Sequence, residues 1–377
     1  MFVPVTRAEI NLQALQSNFY QVKHRVGEHV KVMGIVKANA YGHGLLEISE
    51  ALMRFGVDYL GVGFLQEGIQ LRQEGIQVPI LVLGGVLGSQ IKEFLRYDLD
   101  ITIASAQIAE RIDHEAATNG SHRAKVHLKV DTGMERIGVH HENALQFVER
   151  VSKLKHLVVK GVYSHFATSD ERDKSFAYLQ LEHFNNVLQS IHKQGIEIPY
   201  VHIANSGAIL DLPDSYFTMV RPGILLYGIY PSQETSASIL VRPVLSLKSK
   251  VVFMKNVQAH TSISYGRKHF TTTSTRIVTV PIGYGDGYSR RLTNQAEVII
   301  GDHRYPVVGS ICMDQIMVDV GEGGNVHVGD DVVLLGTHGD QSISVWDLAD
   351  KLETIPYEVL TGIATRVPRI IINEDGR

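Results

Sequence analysis

Residues 32–56 read VMGIVKANAYGHGLLEISEALMRFG, and they contain one complete strand–turn–helix unit. Val32 to Val36 form an apolar run without polar alternation, which suits a parallel strand buried on both faces. Lys37 ends that run. Small residues and glycines follow, and from Leu45 the apolar positions recur three and four apart, as in a helix with one buried face. Gly56 stands where a left-handed residue closes such a helix. A lysine delivered to the end of a buried strand raises a chemical question as well, because a surface lysine needs no such surroundings.

The same texture repeats along the first 230 residues. Further apolar runs begin at Tyr59 (YLGVGF), Pro79 (PILVLGG), Leu99 (LDITIAS), Lys125 (KVHLKVD), Leu157 (LVVKGVYSH), Tyr200 (YVHIANS) and Phe217 (FTMVRPGI). Between them, segments such as SQIKEFLRYD, ENALQFVERVSKLK and SFAYLQLEHFNNVLQSIHKQG carry helical spacing, with Gly75 and Gly195 as further helix ends. Eight alternations predict an α/β fold with a (β/α)8 TIM-type barrel. An open doubly wound sheet is the alternative, and no GxGxxG follows the first strand to support it.

After about Tyr230 β-branched runs separated by Gly, Asn and Asp turns take over, from SLKSKVVFMKNVQAH to DDVVLLG. Residues 1–230 are therefore expected to form the barrel and residues 231–377 a mostly antiparallel β domain, joined at PSQETSASIL. The early run TRAEINL could pair with the β domain; spacing leaves that open.

With 377 residues, a length of roughly 150 residues per domain fits this two-part division. A net charge of −4 with both signs interspersed points to neither nucleic acid nor an acidic membrane surface. The single Cys312 excludes an intramolecular disulfide framework. The start MFVPVTRAEINLQAL lacks the basic and apolar regions of a secretory signal, and the longest uncharged apolar stretch, VPILVLGGVLG from Val78, is too short for a bilayer. A cytoplasmic protein is expected.

In a barrel of this kind function gathers where the loops after the strands converge. Lys37, Lys129 and Asp131, Arg136, His165, Asn205 and Ser206, and Arg221 with Gly223 all fall at that end. Each has a plainer reading: a snorkelling lysine, a core histidine, a helix cap, half of an ion pair. Jointly they say more. A serine at a helix start and the backbone around Gly223 make a phosphate cradle, a lysine can bond to a carbonyl cofactor, and an arginine can face a ring nitrogen. Together these describe pyridoxal 5'-phosphate.

The ordered series VKANAYGHG, HLKVDTGMERIG, YSHFATSDE, ANSGAIL, MVRPGILLYGIYP, SISYGR, PIGYGDGYSRRL, VVGSICMDQIMVDV and IPYEV…TRVPRI resembles the alanine racemase family, from about Thr6 to Ile370. The resemblance implies an isomerase that interconverts L- and D-alanine and supplies D-alanine for peptidoglycan. It implies Lys37 as the lysine that bonds to the cofactor and acts as one base, with Tyr265 as the other. Tyr265 would act in the site of a second subunit, so a homodimer is implied. Arg221 would meet the pyridine nitrogen, and Arg136 the cofactor's phenolic oxygen and the substrate carboxylate. Tyr41, Ser206, Gly223, Ile224 and Tyr357 would surround the phosphate. His165 would link Arg221 to Tyr265, backbone at Met313 would meet the substrate carboxylate, and Tyr284 and Arg290 would line the entry corridor. Lys129 matches a lysine that is carbamylated in many members.

Lysine ordinarily titrates near 10.4, so desolvation and the cations Arg136 and Arg221 are expected to lower Lys37. Ser310 departs from the arginine that many relatives place near the entrance. A serine or broad-specificity racemase of the same fold is therefore the nearest alternative. A non-catalytic cofactor-binding relative would lack the β domain. Metal-dependent lyases need histidine and cysteine ligands at spacings this chain does not show, so no catalytic metal is expected. Decarboxylases of related design use a cysteine from the partner subunit, whereas Cys312 lies in a racemase motif.

Overall fold

The structure, a computed structural model, describes residues 4–118, 123–323 and 325–372. They divide into two compact units, one of residues 16–40 and 45–242, the other of the remainder.

The first unit is the barrel. Its parallel strands run in the order Met219–Val220, Lys31–Ile35, Tyr59–Val62, Ile80–Val82, Asp100–Ile103, Ala124–Asp131, Leu157–Tyr163 and Tyr200–His202. Arg221 N–H donates to the Ala204 carbonyl (2.9 Å) and Thr218 N–H to that of Val201 (3.3 Å), tying the last strand back to its predecessor. Val32, Leu60, Val62, Leu81, Ile103, Val126 and Leu128 are inaccessible to solvent. That burial explains why the strands read as continuous apolar runs. Helices Leu45–Arg54, Leu65–Gln73, Ile91–Arg96, Ala106–Thr118, Ala144–Ser152 and Ser175–Lys193 alternate with them. Gly56, Gly75 and Gly195 adopt φ of 86°, 84° and 70° just past three of these helices, the left-handed closure expected of them.

The break between units falls at 242/243, not at 230/231. Buried Asn18 holds the joint to the barrel, donating to the carbonyls of Leu226 (2.9 Å) and Arg242 (2.8 Å) and accepting from Arg242 N–H (2.8 Å).

In the second unit one sheet has the order His303–Pro306, Glu297–Ile300, Asp331–His338, Leu245–Lys250, Arg7–Asn11, Arg369–Ile372. Arg7–Asn11 pairs antiparallel to Leu245–Lys250 and parallel to Arg369–Ile372. A three-stranded sheet of Phe253–Val257, Thr275–Val280 and Ile316–Asp319 encloses a small core of Val257, Ile263, Ile277 and Val308. Two helices here escaped the reading by β-branched runs. Val345–Leu352 starts at Ser344, whose hydroxyl accepts from Asp347 N–H, and Pro356–Thr361 has proline in its first turn. Among the described residues no helix is long and apolar enough to cross a membrane.

Candidate active site

The segment after the first barrel strand has an unusual backbone. Ala38, Asn39, Ala40 and Tyr41 all have φ between 52° and 54°, so four successive non-glycine residues wind left-handed. That conformation costs about 1–2 kcal/mol per residue, and surrounding bonds hold it. Ala38 N–H donates to Glu67 Oε1 (2.7 Å), and Asn39 Oδ1 accepts from Leu45 N–H (2.8 Å). Gly42 continues at φ 83°, and a Cβ there would lie 2.2 Å from the Leu360 carbonyl oxygen, so no other residue fits. Lys37 stands at the head of this turn. Desolvation by the surrounding protein lowers its pKa, and Arg136 and Arg221 lower it further.

Arg221, 4% exposed, is fixed on every side. It donates to His202 Nδ1 (2.8 Å), His165 Nδ1 (3.1 Å) and the carbonyls of Ser164 (2.8 Å) and Ile203 (3.1 Å). Burial, and next Arg221 itself, hold both histidines well below the usual imidazole range, so they are neutral acceptors. His202 then carries its hydrogen on Nε2, 3.0 Å from His127 Nδ1. His127 Nε2 in turn lies 3.3 Å from Asp100 Oδ2, off hydrogen-bond alignment, and Tyr59 Oη donates to the same oxygen (3.0 Å). A buried polar chain therefore runs from Arg221 through the barrel interior to a carboxylate.

Lys129 is 5% exposed, with Nζ 4.5 Å above the Tyr163 ring. Desolvation, then Arg221, and more weakly Arg136, hold it well below the usual lysine range. The Asp131 carboxylate gathers the N–H groups of Gly133 (2.9 Å), Met134 (3.0 Å), Glu135 (3.3 Å) and Arg136 (3.2 Å), shaping the loop that presents Arg136. Those bonds outweigh the effect of burial and lower the Asp131 pKa.

Helix Ser206–Asp211 is capped by Asn205, whose side-chain oxygen accepts from Ala208 N–H (3.1 Å). Ser206 Oγ accepts from the N–H groups of Gly223 (2.9 Å) and Leu225 (3.3 Å). A hydroxyl that accepts twice keeps its own hydrogen to donate. Ser206 is thus tied to the turn that begins at Gly223 and Ile224.

The remaining candidates lie in the second unit. The rings of Tyr41 and Tyr357 meet at 5.9 Å, and burial raises the Tyr41 pKa. Tyr265 is 73% exposed although its backbone is pinned. Ser310 Oγ donates to the Tyr265 carbonyl (2.7 Å), and Ser264 Oγ donates to that of Ser310 (2.6 Å). Ser310 is 1% exposed. It latches the turn that displays Tyr265, as a short buried hydroxyl can. Tyr284, Arg290 and Met313 are exposed. Gly283 packs so closely against Cys312 and Met313 that a Cβ would lie 2.2 Å from the Cys312 carbonyl oxygen.

Known proteins match this chain along nearly its whole length. The sequence profile described as "Alanine racemase, N-terminal domain" matches residues 10–231, and "Alanine racemase, C-terminal domain" matches residues 244–371. The chain belongs to the alanine racemase family. It is 46% identical to alanine racemase 2 of Caldanaerobacter subterraneus subsp. tengcongensis, across 97% of this chain and 95% of that one. It is likewise 46% identical to the alanine racemase of Halothermothrix orenii, across 98% of each. The alanine racemase structure of Clostridium difficile 630 superposes with a TM-score of 0.95 at 39% identity, covering 100% of this chain and 97% of that one. A histidine racemase of Leuconostoc mesenteroides subsp. sake also superposes, with a TM-score of 0.90 at 29% identity and 98% of each chain covered. The chain is an isomerase, an amino-acid racemase.

Several groups in this racemase were invisible as site residues in the sequence. His127, His202 and Asp100 lie within barrel strands and read as strand residues. Arg366 pairs with Asp286 (2.7 Å) and Asp314 (2.8 Å), bracing the segment after Met313; its only signal is the motif TRVPRI. Glu67 looked like an ordinary first-turn helix acid.

Proposed function

We propose that the chain is a pyridoxal-phosphate-dependent alanine racemase that interconverts L- and D-alanine with two bases, Lys37 and Tyr265. The observation that carries this reading is the barrel mouth itself. A lysine of lowered pKa, a buried arginine held by neutral histidines, and a hydroxyl cradle all belong to one set of strand ends. These residues fit the cofactor: Ser206 retains a hydrogen for a phosphate oxygen, Lys37 offers an amine, and Arg221 offers a fixed cation.

When bound, pyridoxal phosphate supplies the electron withdrawal that makes the substrate's α-proton removable. The chain's own groups do the rest. Ser206 and the backbone at Gly223 and Ile224 would hold the phosphate, and Tyr41 and Tyr357 are the further candidates for that role. Arg221, a permanent cation, would disfavour a proton on the cofactor's ring nitrogen. His165 and His202, as neutral acceptors, keep its guanidinium oriented. Arg136 and backbone at Met313 take the substrate carboxylate, and Tyr284 and Arg290 border its approach. Lys37 exchanges a proton at Cα on one face and Tyr265 on the other.

Tyr265 does this in the site of a second copy of the chain. Support comes from its display: an aromatic side chain left exposed on a backbone fastened by Ser264 and Ser310. We further propose that the enzyme works in the cytoplasm and that its D-alanine goes to peptidoglycan. Alanine is favoured over other substrates because the alanine racemases named above are 39% to 46% identical to this chain and the histidine racemase 29%.

Purified protein should racemise alanine faster than serine or histidine. Removing the cofactor should abolish the activity, and adding pyridoxal phosphate should restore it. Faster turnover of serine or histidine would replace the substrate assignment, and full activity without the cofactor would end the mechanism.

Lys129 is proposed to carry a carbamate. Its depressed pKa favours the neutral amine, the form that adds carbon dioxide and releases a proton. The anion formed would sit in the field of Arg221 and Arg136, replacing repulsion with attraction. Enzyme dialysed free of carbon dioxide should lose activity and regain it with bicarbonate, and Lys129→Ala should show no such response. A dialysed wild-type enzyme of unchanged activity would refute the modification.

A further inference from the structure

We propose that Glu67 is a positioning residue for Lys37, fixing both the backbone that carries the lysine and the groove along which its side chain runs. The inference rests on the reading of Lys37 as the cofactor lysine and adds a residue to it.

Glu67 lies in the first turn of helix Leu65–Gln73. There a glutamate often satisfies the helix's own N-terminal N–H groups, and Oε2 does so, accepting from Phe64 N–H (3.1 Å) and Gly63 N–H (2.8 Å). Helix capping alone leaves Oε1 without a role. That oxygen instead reaches to the end of the neighbouring strand, to Ala38 N–H at 2.7 Å, the shortest of the three bonds. Ala38 is the residue after Lys37 and the first of the left-handed turn. The carboxylate thus clamps the point where the chain leaves ordinary backbone geometry.

Its second oxygen acts on the lysine from the side. A Cβ built on Gly63 would lie 3.5 Å from Lys37 Cβ and 3.8 Å from its Cδ, so the lysine's aliphatic stem runs along Gly63. Gly63 N–H is one of the donors that Glu67 holds. One carboxylate therefore fixes the peptide after Lys37 and the surface against which Lys37 lies.

Glu67 also contributes charge. Desolvation, Arg136 and Arg221 each lower the Lys37 pKa; Glu67 alone among its charged neighbours raises it. Glu67→Gln removes the charge and turns an amide NH2 towards N–H donors. Glu67→Asp keeps the charge on a side chain one methylene too short to span Ala38 and Gly63 together.

The test follows covalent capture of added pyridoxal phosphate by cofactor-stripped protein, read by absorbance and by intact mass after borohydride reduction, across a pH series. Wild-type protein must first show capture that is lost in Lys37→Ala; if it does not, the reading of Lys37 itself fails. Given that capture, the pH midpoint of Glu67→Gln is expected to fall by about half a unit or more, because the neutral amine is then favoured at lower pH. Glu67→Asp is expected to keep the native midpoint but to capture severalfold more slowly. An unmoved midpoint in Glu67→Gln, or an undiminished rate in Glu67→Asp, overturns the assignment. A helix-capping role alone would lower thermal stability and move neither quantity.

Discussion

Lys37→Ala is expected to abolish covalent capture of pyridoxal phosphate and to lower kcat/KM for alanine by at least about 1,000-fold. Loss of one positioned base alone accounts for about 100- to 10,000-fold, and the same substitution removes the amine to which the cofactor bonds. The barrel should be unaffected. Lys37 follows strand Lys31–Ile35, and its neighbour Ala38 keeps its bond to Glu67. Far-UV circular dichroism and thermal unfolding check that directly. A folded Lys37→Ala enzyme that retained even a tenth of native activity would remove Lys37 from the mechanism.

Tyr265→Phe should be nearly as damaging and more informative. The hydroxyl alone is lost, and the Ser264 and Ser310 bonds that hold the turn involve backbone carbonyls and persist. Racemisation is expected to fall by about 100- to 10,000-fold in both directions, because each direction needs both bases. The cofactor should remain bound at Lys37. In deuterium oxide, exchange of the α-proton should survive for one enantiomer, served by the lysine, and vanish for the other. Mixing the two inactive variants then tests whether sites are shared. Random re-pairing makes half the dimers mixed, each with one intact site, so about a quarter of native activity should return. No recovery would place Tyr265 in its own subunit's site, and unaffected racemisation by Tyr265→Phe would end the two-base assignment.

Much of this was legible in the residues because burial writes itself into sequence. A parallel strand covered on both faces must be apolar throughout, so runs such as those at Val32 and Tyr59 announce barrel strands, and Gly56 and Gly195 mark helix ends. Lys37, Arg136, His165, Ser206 and Arg221 could be grouped because the barrel places every strand end on one mouth. What stayed hidden depends on partners distant in sequence. Ala38, Ala40 and Tyr41 give no sign of a left-handed turn, since their intrinsic preference is the opposite and Glu67, 29 residues away from Ala38, holds the start of it. His127 and Asp100 read as strand residues, because nothing in their spacing reveals that they line up behind Arg221. Ser310 was judged by what relatives carry there, whereas its buried hydroxyl answers to the Tyr265 carbonyl.

The left-handed turn has a consequence in time. A segment whose local preferences oppose its native shape is expected to form late on a folding chain, once strand Tyr59–Val62 and helix Leu65–Gln73 have brought Glu67 to Ala38. Until then Lys37 is an ordinary lysine, mostly protonated near neutrality and slow towards aldehydes. The surroundings that lower its pKa arrive with the finished barrel. Before that, Lys37 offers carbonyl compounds only the small neutral fraction of an ordinary lysine.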